Sequence, residues 1–252
     1  MVTGLGVFRA HFREYADRYL LIGGAACDLL MDAAGAAFRA TKDLDIVLCV
    51  EALDIAFVRA FWDFVRAGGY AMQEKSTGQK QFYRFQKPVR ADYPFMLELF
   101  ARVPDALEIA PGSHLTPLPM EDAVSSLSAI LMDEEYYAFI RAGRTERDGL
   151  PVVGAEHLIA LKARAWLDLS RRRANGEAVD GRSIKKHKND VFRLYQIIDP
   201  ERDPAAPDKV KSDLREFIAA VSVEGVDLAV LGVRVGSLDD VLSGLRALYR
   251  LA

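Results

Sequence analysis

Apolar residues recur first at helical spacing, then in short unbroken runs, then at helical spacing again. Phe8, Phe12, Tyr15 and Tyr19 stand three or four apart and predict an amphipathic helix over Val7 to Tyr19. Tyr19 to Ile22 is a short apolar run, read as a strand, and Gly23-Gly24 permits a tight turn from that strand into a helix. Ala25 to Ala37 is rich in Ala and Leu and predicts that helix, ending near Gly35. Phe38 to Lys42 leads into Asp43-Leu44-Asp45 and the apolar run Ile46 to Val50, a second strand. Across Ala52 to Ala67, Leu53, Phe57, Phe61, Phe64 and Val65 form a helical stripe closed by Gly68-Gly69. Three further strands are predicted at Tyr70 to Glu74, Gln81 to Gln86 and Phe95 to Phe100, joined through Ser76-Thr77-Gly78 and through Lys87 to Tyr93. Strands and helices interleaved in this way predict an α/β fold with a mixed sheet.

The second part of the chain reads differently. Leu127 to Met132 suggests one more short strand, and Asp133-Glu134-Glu135 places acids in the first turn of a helix running through Ile140. Gly143 to Gly149 is polar and charged, and is taken as the exit from a first domain of residues 1–150. Residues 151–252 then predict a helical domain, with helices at Ala155 to Arg173, Ser183 to Ile198, Ala206 to Val221 and Leu238 to Leu251, and a short apolar strand within Gly225 to Gly236. This helical domain is expected to close the cleft over an active site in the first.

Composition narrows the class. With 252 residues and 51% hydrophobic content the chain can build a sizeable core. Its longest apolar runs fall far short of the roughly 20 residues that span a bilayer. The first residues mix acids and bases, unlike a signal peptide, so a cytoplasmic protein is expected. Cys27 and Cys49 sit among apolar neighbours and read as reduced core thiols. A net charge of -3 gives no global attraction for nucleic acid, so such binding needs a local patch. One candidate is Arg171 to Arg193, where eight Lys or Arg face three acids. A run of this kind is also what a solvated helix face looks like.

The acids carry the chemistry. Alternate residues of a strand share a face, so Asp43 and Asp45 project side by side while Leu44 and Ile46 turn inward. Adjacent carboxylates repel, and a hard divalent cation such as Mg²⁺, or Mn²⁺ in its place, suits them as oxygen ligands and brings phosphate with it. A bare D-x-D also fits two exposed acids at a strand end. Glu98 adds a third acid within the apolar run Phe95 to Phe100, where a charge needs a partner. If its strand neighbours the first, three carboxylates suit metal-assisted phosphoryl transfer. The small residues Gly23 and Gly24 allow phosphate to approach the backbone at the helix start, and Arg39, Thr41 and Lys42 stand just before the acids.

The stretches LIGGAA, RATKDLDIVL and FMLELF together resemble the nucleotidyltransferase superfamily, with its glycine turn, helix, D-x-D strand and later acidic strand. Within it, RATKDLD, EHLIALKARAW and KKHKNDVFRL are similar to the AbiEii/AbiGii toxin family of type IV toxin-antitoxin systems. The resemblance covers residues 19–198. It departs at Gly24, where many superfamily members have Ser, and in the long interval before Asp43. It implies that Asp43, Asp45 and Glu98 are metal ligands, with Glu98 as ligand or base. It places the phosphate-binding lysine at Lys162 and the last acid at Asp190, with His187 and Lys188 beside it. It implies Mg²⁺ or Mn²⁺, a nucleoside triphosphate, RNA such as tRNA as acceptor, and a cognate antitoxin. A small-molecule nucleotidyltransferase of antibiotic-modifying type, or a catalytically idle nucleotide- or partner-binding module, would carry the same fold. His187, a single histidine among lysines, reads from its own context as a solvated residue.

Overall fold

The computed structural model describes residues 2–49, 54–72, 82–100, 130–131 and 133–251, with backbone alone for Met72, Phe82 and Tyr83. Contacts divide the chain into two compact units, Met1–Met120 with Arg144–Val153, and Glu121–Gly143 with Gly154–Ala252.

The first unit opens with α1 (Leu5–His11), which passes at Phe12 into a 3₁₀ helix over Arg13–Arg18. The single helix expected over Val7 to Tyr19 is thus two pieces that meet at Phe12 (φ -99, ψ 16), and the second is itself kinked at Tyr15 (φ -115, ψ 20). Then come β1 (Tyr19–Ile22), α2 (Gly23–Ala33), β2 (Asp43–Leu48), α3 (Ile55–Gly68), β3 (Ala71–Met72), β4 (Phe82–Gln86) and β5 (Met96–Phe100). Asp54 caps α3 by accepting from the Phe57 N–H at 2.8 Å, and Gly69 ends it in the left-handed region. Val50, residues 51–53, Gln73 and Glu74 at the end of the expected strand Tyr70 to Glu74, Ser76-Thr77-Gly78 and Gln81 lie outside the described residues.

Gly143 to Gly149 is not a simple connection. β6 (Arg144–Arg147) turns through Asp148-Gly149 into β7 (Leu150–Val153), with φ of 51 and 71 at the two turn residues. Two successive positive φ values match the twist of paired strands, which is why Asp-Gly favours such hairpins. The sheet order is β3-β4-β5-β2-β1-β7-β6. β2 runs antiparallel to β1 and parallel to β5, and β7 runs parallel to β1. The sheet is therefore mixed, as expected. One face carries Leu44, Ile46, Leu97, Leu99 and Phe85, all within 1% of full burial. Phe85 meets Phe61 of α3 at 5.5 Å between ring centres, and Phe61 belongs to an aromatic cluster with Phe8, Phe12, Phe57 and Phe64. With α3 filling that face, Asp43, Asp45 and Glu98 are left to the other.

The second unit is helical: α4 (Glu134–Ala142), α5 (Ala155–Ala174), α6 (Gly181–Tyr195), α7 (Asp208–Glu224) and α8 (Leu238–Leu248). α5 is buried almost continuously from Ala155 to Trp166, the pattern of a helix surrounded by others. Trp166 meets Phe217 of α7 edge-on at 5.3 Å, and Phe192 of α6 joins them. Since α4 belongs to this unit while β6 and β7 return to the sheet, the division is not the single cut at residue 150 expected from composition. Of the strand suggested for Leu127 to Met132, the described residues Ile130 and Leu131 are helical. Gly225 to Gly236 forms turns and no strand among the described residues; Val230, 79% exposed, has no sheet to join.

Candidate active site

The glycine turn and the acidic strand meet. Gly23 adopts φ 67, and a Cβ there would overlap the Asp45 carboxylate. The Gly24 N–H donates to Asp45 Oδ2 at 3.2 Å. α2 has no side-chain cap and no acid in its first turn, so Asp45 supplies the negative charge that its N-terminus favours. The hydroxyl that Gly24 lacks has a neighbour in its place: a Cβ on Gly24 would stand 2.5 Å from Thr41 Oγ1 and 3.5 Å from Arg39 Nη2. Arg39 also lies over the Phe38 ring, and Lys42 lies over Phe95 at 5.8 Å.

Glu98 stands directly beside Asp45 in the parallel register of β2 and β5, while Asp43 faces Met96. On the far side of Glu98 is Arg84 of β4. Arg84 donates to Glu98 Oε1 from Nε at 2.8 Å and from Nη2 at 2.6 Å, and both side chains are only 8% exposed. This is the partner that a charge within an apolar strand needs. It went unrecognised in the sequence, where its one signal is an isolated Arg in the aromatic stretch Phe82-Tyr83-Arg84-Phe85. Burial first, then the charge and hydrogen bond of Asp45, push the Glu98 carboxyl up to about 9, with Arg84 pulling the other way. Asp43 and Asp45, oxygen donors on one face, fit a hard divalent cation. The closeness of Asp45 to Glu98 is a repulsion that such a cation would relieve. Glu98 is tied to Arg84, and among the described residues no group of three or more His, Cys, Asp or Glu is gathered as a ready-made metal site.

The remaining predicted residues lie in the helical unit. Lys162 of α5 and Asp190 of α6 form an ion pair at 3.3 Å, 4% and 0% exposed, and Arg193 approaches the other Asp190 oxygen at 3.5 Å. His187, one turn before Asp190, is buried rather than solvated, because its face of α6 is the packed one. Lys188 pairs with Glu224 at 2.8 Å. The basic stretch Arg171 to Arg193 is largely neutralised: Arg171 pairs with Glu216, Arg172 with Glu177, Arg182 with Asp180, Lys188 with Glu224 and Arg193 with Asp190. Glu216 and Glu224 come from α7, outside the stretch in which the charges were counted.

A glycine turn feeding a helix, with an acidic strand beside it in a mixed sheet, defines an α/β protein of nucleotidyltransferase type. The family model for the nucleotidyl transferase AbiEii toxin of type IV toxin-antitoxin systems matches residues 7–230, and the chain belongs to that family. A nucleoside triphosphate substrate and a cognate antitoxin are what that membership implies. No curated protein matches the chain. Among the described residues no helix is long and apolar enough to cross a membrane.

Proposed function

We propose that the protein transfers a nucleotide from a nucleoside triphosphate to an acceptor hydroxyl. The observation that carries this reading is the in-register pair Asp45 and Glu98 beside a helix start whose Gly24 N–H already binds a carboxylate oxygen. An anion of the same geometry, a triphosphate oxygen, suits those N–H groups. Thr41 and Arg39 add a hydroxyl and a cation next to the turn, and Lys42 follows them at the head of β2, over Phe95. Asp43 and Asp45 would hold Mg²⁺, or Mn²⁺ in its place, which supplies neutralising charge to the triphosphate when bound. The acceptor oxygen forms a bond to the α-phosphorus, the bond to the bridging oxygen breaks, and pyrophosphate leaves. Glu98 would take the hydroxyl proton once a cation offsets its repulsion with Asp45 and leaves it ionised, and Arg84 keeps its carboxylate aimed. The functional assignment of Lys162 and Asp190 rests on the family resemblance.

The family points to RNA, such as tRNA, as acceptor in a toxin. A small-molecule acceptor is the second reading, favoured by the pairing of five of the eight cations in the basic stretch. Incubation with each labelled triphosphate, Mg²⁺, and either total RNA or a panel of small hydroxyl compounds separates the two by what becomes labelled. Asp45→Asn is expected to abolish transfer with the fold intact. Full transfer by that variant sinks the metal assignment, and triphosphate binding without pyrophosphate release across all acceptors supports an idle module.

A further inference from the structure

The acids occupy one face of the sheet, and a cavity of about 530 Å³ opens on the other, at the end where β2 and β5 begin and β4 finishes. Its volume is within the range of about 300 to 1,000 Å³ usual for small-molecule sites. Lys42 and Phe95 line it and continue the alternation that turns Leu44 and Leu97 toward α3; the Lys42 ammonium lies over the Phe95 ring at 5.8 Å. Tyr93, also in the lining, meets Phe64 of α3 at 4.8 Å between ring centres. An occupant is therefore turned away from Asp43, Asp45 and Glu98. The walls are tied in place by the fold itself. The Tyr70 hydroxyl donates to the Pro94 carbonyl at 2.6 Å, between Tyr93 and Phe95. The Val89 N–H donates to the Gly68 carbonyl at 3.0 Å, which fixes the turn carrying Lys87 and Pro88 to the end of α3. Thr3 reaches the cavity because Gly4, at φ 78, packs where a Cβ would stand 2.2 Å from the Pro94 nitrogen.

The lining is of two kinds. Pro88, Tyr93 and Phe95 are apolar or aromatic, and Phe95 leaves 50% of its surface uncovered despite its size. Lys42 and Lys87 are exposed cations, and neither has a carboxylate partner among the described residues. Nor does any carboxylate line the cavity among those residues. This contrasts with the basic stretch of the helical unit, where most cations are paired. Lys87 is held at φ 53, a conformation that a side-chain-bearing residue keeps only where its surroundings impose it. Two cations without a counter-charge suit an anion, and the open Phe95 ring suits an apolar body next to it.

We propose that this cavity is a second binding site, separate from the acids, for a small organic anion with an aromatic or apolar body. Its anionic group is held by Lys42 and Lys87, and its body lies against Phe95 and Pro88. The test uses anilinonaphthalene sulfonate, an aromatic sulfonate, titrated into the full chain and followed by its fluorescence. Phenylnaphthylamine, the same rings without the sulfonate, is the uncharged control. Wild type is compared with Phe95→Ala and Lys87→Gln, and thermal melting confirms that each variant is folded. Wild type is expected to bind the sulfonate saturably and more tightly than the control. Lys87→Gln is expected to weaken the sulfonate several-fold at low salt, less as salt rises, and to leave the control unchanged. Phe95→Ala is expected to weaken both probes about fivefold, the effect of uncovering roughly half a phenyl side chain. Sulfonate binding that persists at a saturating concentration of Mg²⁺ and nucleoside triphosphate supports a separate site. Mutually exclusive binding of the two overturns it, as does wild type that fails to bind the sulfonate, or either variant that binds it as wild type does. Binding is read without turnover, so its failure leaves the transfer reading standing, and absence of transfer leaves this site standing.

Discussion

At Gly23 the sequence requirement is steric twice over. Its φ of 67 costs an L-residue about 1 to 3 kcal/mol, and any Cβ would overlap the Asp45 carboxylate. Gly23→Ala therefore has to displace the carboxylate proposed to bind the metal. The expected result is a stability loss of about 2 kcal/mol or more in denaturant titration, with transfer reduced at least as severely as by any change at Thr41. Gly24 has no such backbone demand, and the nearest atoms to a methyl there belong to the side chains of Thr41 and Arg39. The unequal response of two adjacent glycines is what separates a backbone requirement from simple crowding.

Elements were legible where the evidence is local, and obscure where the deciding partner is distant. Period-two alternation was enough to put Asp43 and Asp45 on one face and to mark Glu98 as a charge wanting a partner. That the partner is Arg84 depends on the β4 and β5 register, which no local pattern specifies. β6 was missed because Arg144, Glu146 and Arg147 look like a linker; among the described residues it is an edge strand with β7 as its one sheet neighbour, and an edge tolerates charge. The Asp-Gly turn was the available signal. The basic stretch misled in the same way, since Glu216 and Glu224 sit on α7. Between α5 and α6, Lys162 and Asp190 form a nearly solvent-free pair, and removing one partner alone strands a buried charge. Lys162→Met is expected to cost about 3 kcal/mol, softened by Arg193, and Lys162→Met with Asp190→Leu less than the sum of the two single changes. A double-mutant cycle by denaturant unfolding reads this directly; additive costs would show that the pair is not coupled.

For the whole molecule, stability is bounded on two sides of pH by one buried group in each unit. His157 sits against the Phe139 ring at 4.4 Å, and burial first, then Arg202, lowers it to about 4 from 6.5. Between those values the unfolded chain binds the proton and the folded chain does not. Stability therefore falls as pH drops from about 6.5 toward 4, by about 3 kcal/mol in total. Glu98 has the opposite sign: its folded value is raised from 4.5 to about 9, so the folded chain holds the proton over that interval and stability falls as pH rises through it. Each unit carries its own reporter, Trp62 in the first and Trp166 in the second. In single-tryptophan variants made by replacing the other with Phe, unfolding followed through Trp166 is expected to show the acid loss, and His157→Leu to flatten it. Unfolding followed through Trp62 is expected to show the alkaline loss, and Mg²⁺ to relieve it by offsetting the Asp45 and Glu98 charges. Relief by Mg²⁺ that persists in Asp45→Asn would place the cation elsewhere than on Asp43 and Asp45.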